Sequence, residues 1–148
     1  MEPIMLAYIG VALAIGVSGA ASACGVAVTG NAAVGAMKKN PDAFGNYMIL
    51  SALPGTNGLY GFLGYFLLKG FLVPEITQIQ ATAIFAAGLF LGGVNVFASL
   101  RQASICANGI AAIGSGHDVF GKTLILAAFP ELYAIIAVAA TFMISISV

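Results

Sequence analysis

Charge is almost absent from four long parts of this chain, and that restricts what it can fold into more than any other feature. No charged residue lies between Glu2 and Lys38, between Asp42 and Lys69, or between Glu75 and Arg101, and only Glu131 interrupts the stretch from Thr123 to Val148. Each stretch exceeds the roughly 20 residues a helix needs to cross hydrocarbon. The 148 residues are 61% hydrophobic and 7% charged, whereas about a quarter of residues are charged in soluble domains. The solvent is therefore read as lipid, and the chain as four membrane-spanning helices. The first span is expected to be mature structure, since no basic segment precedes it and its apolar run is far longer than the roughly 7 to 15 residues of a signal core. Five basic and five acidic residues cancel, so there is no basic stripe and no nucleic-acid partner is expected. Cys24 and Cys106 fall inside spans 1 and 3, where they are expected to pack as small, weakly polar residues rather than form a disulfide or a metal site.

Punctuation residues give the boundaries. Span 1 is predicted from Pro3, suited to a first helical turn, to Met37, and ends at the polar cluster Lys38-Lys39-Asn40-Pro41-Asp42. Span 2 should run from Phe44 to Phe71, span 3 from Ile76 to Ile113, and span 4 from Val119 to the C-terminus. The turn Gly114-Ser115-Gly116-His117-Asp118 separates the last two, and His117 in it reads as a solvated loop residue. The segment Ala43 to Pro54 (AFGNYMILSALP) matches Val119 to Pro130 (VFGKTLILAAFP) at a constant offset of 76. The chain is thus a doubled helical hairpin, residues 1–75 without an intramembrane carboxylate and residues 76–148 carrying Glu131. Both hairpins enter the membrane in the same direction, unlike the inverted repeats of many secondary transporters.

Lys38, Lys39 and Lys122 lie at the two hairpin turns, against Lys69 on the opposite side. The basic bias makes the turns cytoplasmic and puts both termini outside. Spans 1 and 3 are rich in Gly and Ala, which permit the close backbone approach that packs helices in lipid. Spans 2 and 4 carry bulk such as Phe62, Tyr65, Phe66, Phe129, Tyr133 and Phe142. Small-residue helices inside and bulky ones toward lipid are arranged naturally in a homo-oligomeric ring. The fold class is therefore an all-α membrane protein of two tandem hairpins assembling side by side.

Glu131 is too far from either surface to snorkel, and an ionised carboxylate at that depth costs about 2.5–3.5 kcal/mol on insertion scales. It should be neutral or paired, and intramembrane acids commonly line an ion path. Counting outward from the turn near residues 116 and 117 puts Gln102 at the depth of Glu131. Counting from the first turn puts Thr56 and Asn57 opposite Gly25 and Cys24 at a similar depth. Leu53-Pro54-Gly55-Thr56-Asn57-Gly58-Leu59-Tyr60 reads as a broken helix, because Pro54 removes a donor and Gly55 and Gly58 let the backbone deform. Carbonyls near Leu50 to Leu53 are expected to be free to face an ion, with Thr56 and Tyr60 on one helix face. One carboxylate among neutral oxygens suits one monovalent cation, whereas Mg²⁺ or Ca²⁺ would ask for more carboxylates.

The segments Leu53-Pro54-Gly55-Thr56-Asn57-Gly58-Leu59-Tyr60-Gly61 and Pro130-Glu131-Leu132-Tyr133-Ala134-Ile135, together with Gln102, resemble the rotor-ring proteolipid of V-type ATPases, their c or K subunit, in its bacterial sodium-type form. The resemblance covers nearly the whole chain. It implies an ion-carrying rotor subunit with no covalent chemistry or cofactor of its own, in a bacterial or archaeal plasma membrane. Its implied partners are a stator subunit bearing an arginine, central-stalk subunits at the cytoplasmic turns, and the bilayer. The implied sodium ligands are Glu131, Gln102, Thr56, Asn57, Tyr60 and the carbonyl of Leu53. Asn57 departs from the pattern, which has glutamine there, so its shorter side chain need not reach the ion. Arg101 is the second departure; it is expected to face the ring interior or a neighbouring helix, with pairing to Glu131 as the alternative and a role as modulator. Sodium is favoured over the proton because Gln102, Thr56 and Asn57 would be superfluous around a simple proton carrier. The rival reading from another class is a small proton-coupled secondary transporter with an intramembrane glutamate.

Overall fold

The computed structural model describes residues 2–148; Met1 lies outside them. Five α-helices make up the described chain: α1 Pro3–Met37, α2 Phe44–Ala52, α3 Thr56–Leu68, α4 Gln78–Gly114 and α5 Phe120–Ser145. Helices α1, α4 and α5 are 35, 37 and 26 residues long and apolar enough to cross a membrane.

The remaining arm is broken where the sequence led one to expect, at Pro54 and Gly55. It is divided into α2, of 9 residues, and α3, of 13, by a 3₁₀ turn at Leu53–Gly55, and a second 3₁₀ turn, Lys69–Phe71, closes it. Neither helix is long enough to span by itself. Pro54 has no N–H to donate to the preceding turn, and Gly55 after it is the most deformable residue available. The equivalent proline of the repeat, Pro130, sits inside an unbroken α5. There the next residue is Glu131, a good helix former.

Helix α4 starts two residues later than expected, at Gln78, because Thr77 forms a capping box. The Thr77 hydroxyl accepts from the Gln80 backbone N–H at 3.2 Å, and the Gln80 side chain accepts from the Thr77 N–H at 3.1 Å. It ends at a turn in which Gly116 has φ +91°, a left-handed conformation open to glycine. The backbone N–H groups of Gly116 and His117 close that turn onto the carbonyls of Ile113 and Ala112. The two hairpin turns lie at the same end and are tied together. The Asn40 side-chain amide donates to the Ile113 carbonyl at 3.3 Å, and the Tyr47 hydroxyl to the Asn40 carbonyl at 3.0 Å.

Helices α1 and α4 pack against each other along their length, with α3 against both and α5 against α4 and α3. Gly10 and Gly88 make the crossing possible, since a Cβ on Gly88 would collide with the backbone of Gly10 and one on Gly10 with the backbone of Phe85. Such contact is how helices associate where lipid removes the hydrophobic drive. Two larger clusters and a smaller one, of Ala14, Leu91 and Ala137, hold the apolar packing. One cluster near the turns holds Tyr47, Leu50, Cys106, Ile110 and Ala127; another near the termini holds Ala7, Leu68, Ile76, Ile84 and Ala87. Cys106 is thus a packing residue as expected, while Cys24 is exposed on α1. The polar interior of the protein lies between the two larger clusters.

Candidate functional site around Glu131

Three elements meet at Glu131, which is half-buried on α5. The Tyr60 hydroxyl on α3 donates to Glu131 Oε1 at 2.8 Å, and the Gln102 side-chain amide on α4 donates to Glu131 Oε2 at 3.0 Å. Both carboxylate oxygens therefore have partners. The same Gln102 Nε2 also donates to the Ala127 carbonyl at 3.2 Å, one turn before Glu131. Behind it, Asn57 Nδ2 donates to Gln102 Oε1 at 3.1 Å. Asn57 and Gln102 are fully buried.

The six residues singled out from the sequence fall into two connected groups. Tyr60, Glu131, Gln102 and Asn57 form one hydrogen-bonded chain. Thr56 and Leu53 form the other, the Thr56 hydroxyl donating to the Leu53 carbonyl at 2.9 Å. Asn57 touches Gln102 and not the carboxylate. Arg101 is not paired with Glu131, whose oxygens are held by Tyr60 and Gln102. It is exposed and lines an apolar groove of about 600 Å³ between α4 and α5, with Phe97, Ile105, Phe129 and Tyr133 among its neighbours.

Of the carbonyls expected to be free near Leu50 to Leu53, those of Ser51 and Leu53 have side-chain partners. The Ser51 carbonyl accepts from Thr29 Oγ1 at 2.9 Å, and the Pro54 carbonyl accepts from Ser22 Oγ at 2.7 Å and Ser99 Oγ at 3.1 Å. Ser22 Oγ in turn accepts from the Gly58 backbone N–H at 2.7 Å, which caps α3 from a neighbouring helix in place of the residue before it. Gly25 lets this happen: a Cβ there would meet Pro54 at 2.6 Å and Ser99 at 2.7 Å. The break is therefore a site of side-chain-to-backbone bonding across three elements, which anchors the residues on either side of it.

Sequence reasoning passed over the residues that do this. Ser18, Ser22 and Thr29 on α1, and Asn95 and Ser99 on α4, are all buried. Asn95 Nδ2 donates to Ser18 Oγ at 2.8 Å and to the Asn57 carbonyl at 3.1 Å. A signal was available. Ser18, Ser22, Gly25 and Thr29 step along one helical face, and Asn95, Ser99, Gln102 and Cys106 stand 77 positions later in the same order. Spacings of four, three and four residues keep one face of a helix in line.

The sequence model of the family described as the ATP synthase C subunit matches twice, over residues 9–68 and 85–144. The chain is 34% identical over 140 residues to the K subunit of the V-type sodium ATPase of Enterococcus hirae, covering 95% of this chain and 90% of that protein. It is 32% identical over 135 residues to the K subunit of the A-type ATP synthase of Methanocaldococcus jannaschii, covering 91% of this chain and 59% of that longer protein. Two family matches that together take in most of the residues, one in each half and each containing one of the two Pro-centred segments, place this integral membrane protein in the ATP synthase C subunit family.

Proposed function

We propose that this chain is the rotor subunit of a V- or A-type rotary ATPase, carrying one monovalent cation, sodium in preference to the proton, on Glu131. A chain of this family is an ion-translocating component rather than a catalyst by itself. The observation that carries the reading is the meeting of Tyr60, Gln102 and Glu131 from three helices around the only charged residue after Lys122. Thr56 Oγ1 and the Leu53 carbonyl supply further oxygen beside them, and Asn57 completes the set of six. The name of the Enterococcus hirae relative, a sodium ATPase subunit, supports the choice of ion.

In this reading the arm Phe44–Phe71 crosses the membrane as a fourth, broken span. Its backbone is irregular where protein surrounds it, which the bilayer tolerates. Copies stand side by side in a ring, α1 and α4 inward and α5 toward lipid. The hairpin turns, bearing Lys38, Lys39 and Lys122, are cytoplasmic and face a central stalk, and both termini lie outside. A cation on Glu131 cancels its charge, which removes most of the cost of carrying the group past lipid. Approach of a stator arginine then competes for the carboxylate and releases the ion. The two residue ranges 1–75 and 76–148 act as one unit, with one charge for every two hairpins.

Labelling of Glu131 by a hydrophobic carbodiimide tests the ion. Sodium added at constant pH should slow labelling of the purified complex, and Glu131→Gln should abolish it. Labelling indifferent to sodium would remove sodium from the proposal and leave the proton.

A further inference from the structure

The orientations of the two buried amides are fixed by their neighbours. Gln102 Nε2 lies 3.2 Å from the Ala127 carbonyl and 3.0 Å from Glu131 Oε2. A carbonyl oxygen only accepts, so the nitrogen of Gln102 must be at that end and its oxygen at the other. That oxygen takes the Asn57 NH₂ at 3.1 Å, which commits the Asn57 nitrogen and leaves Asn57 Oδ1 buried without a partner. Buried unpartnered acceptors are rare and call for a reason.

We propose that Asn57 is a positioning residue that discriminates sodium from the proton at Glu131 by acting through Gln102, the two amides turning over together when sodium binds. This rests on the rotor reading above. Sodium binds lone pairs, and Gln102 presents N–H to the carboxylate, so it can become a ligand only by turning its amide through half a circle. The turned NH₂ would then oppose the NH₂ of Asn57, donor against donor, unless Asn57 turns as well and offers Oδ1. That oxygen is the one without a partner, so its turning gives up no bond except the one to Gln102, which re-forms in the opposite sense. Amide nitrogen and oxygen are nearly the same size, and the exchange needs little room in a packed interior. The turned Gln102 oxygen would stand beside the Ala127 carbonyl and Glu131 Oε2, three acceptors together, an arrangement that a cation among them makes favourable. A proton needs none of this. It can sit on Glu131 Oε1 and be accepted by Tyr60 Oη, which rotates its own hydrogen away.

The experiment is solid-state NMR on the full chain in its purified assembly, with Asn, Gln and Glu side chains labelled with ¹⁵N and ¹³C, with and without sodium chloride at fixed pH. Without sodium, the Gln102 amide protons should contact the Glu131 carboxyl carbon. With sodium they should contact the Asn57 amide carbon instead. An Asn57→Asp chain, whose side chain only accepts when ionised, should hold Gln102 in the turned orientation even without sodium. It should also lower the sodium concentration that half-protects Glu131 by about tenfold, equivalent to about 1.4 kcal/mol. Sodium protection of Glu131 with unmoved Gln102 contacts in the natural chain would overturn the amide proposal alone. Absence of sodium protection would overturn the sodium reading and this proposal with it. If Asn57→Asp fails to fold, the measurement on the natural chain decides by itself.

Discussion

Tyr60 and Gln102 each give a hydrogen bond to one oxygen of Glu131, and bonds to charged groups are worth about 1.5–3 kcal/mol each. Tyr60→Phe keeps the ring and removes the hydroxyl, so cation affinity should fall by about tenfold or more on that scale. The check is the sodium concentration that half-protects Glu131 from carbodiimide. At this scale much of the site was legible in the sequence, for reasons of geometry. Counting from a hairpin turn puts Gln102 at the level of Glu131, and a spacing of four puts Thr56 and Tyr60 on one face. The direction of each bond was not legible. Whether Gln102 shows nitrogen or oxygen to the carboxylate depends on the Ala127 carbonyl, and no spacing rule brings α4 and α5 together at that precision.

Among the elements, the broken arm was legible in its break and not in its bonding. Pro54 and Gly55 announced a break, but not which partners its carbonyls would find, because Ser22 and Ser99 are 32 and 45 residues away. Ser22 both satisfies the Pro54 carbonyl and accepts from the Gly58 N–H, so Ser22→Ala leaves a helix start uncapped and should cost about 1–3 kcal/mol. Ser99→Ala leaves Ser22 on the same carbonyl and should cost only about 0.6 kcal/mol, the average for such bonds in membranes. Denaturation in mixed micelles, reading loss of helix against denaturant fraction, would separate the two. The α1–α4 crossing gives a sharper contrast. Gly88→Ala drives a methyl into the Gly10 backbone, which has no side chain to move aside, whereas Gly93 has open space around it. Gly88→Ala should therefore destabilise the chain by about 1–3 kcal/mol, the usual cost of overpacking. Gly93→Ala should leave the fold of the single chain unchanged in the same assay. The Gly and Ala content of spans 1 and 3 foretold close packing, but only the structure separates glycines at the crossing from those on an open face.

For the whole molecule, the surface left over after the helices pack bears on the ring. One exposed face of α1 carries Ala12, Gly16, Gly19, Ala23 and Ala27, spaced by three or four residues. Gly16 and Gly19 have open space where a side chain would stand. Lipid gains nothing from a smooth face of this kind, whereas another helix can approach it closely. Bulky residues such as Leu59, Phe62 and Tyr133 are exposed elsewhere, on α3 and α5, where lipid chains can fill the space between them. In the proposed ring, this small-residue face is the one through which copies would associate side by side. Gly16→Leu and Ala23→Leu should leave the folded chain intact, because neither position is buried within it, and should prevent a neighbour from seating. The mass of the detergent-purified complex checks this. The natural chain should give a large multiple of 14.9 kDa, and either variant a single chain or a small fragment of the ring with unchanged helix content. A natural chain that runs as a monomer or dimer would remove the ring and return the coupled-transporter reading. Variants that assemble normally would move the contact between copies to another face.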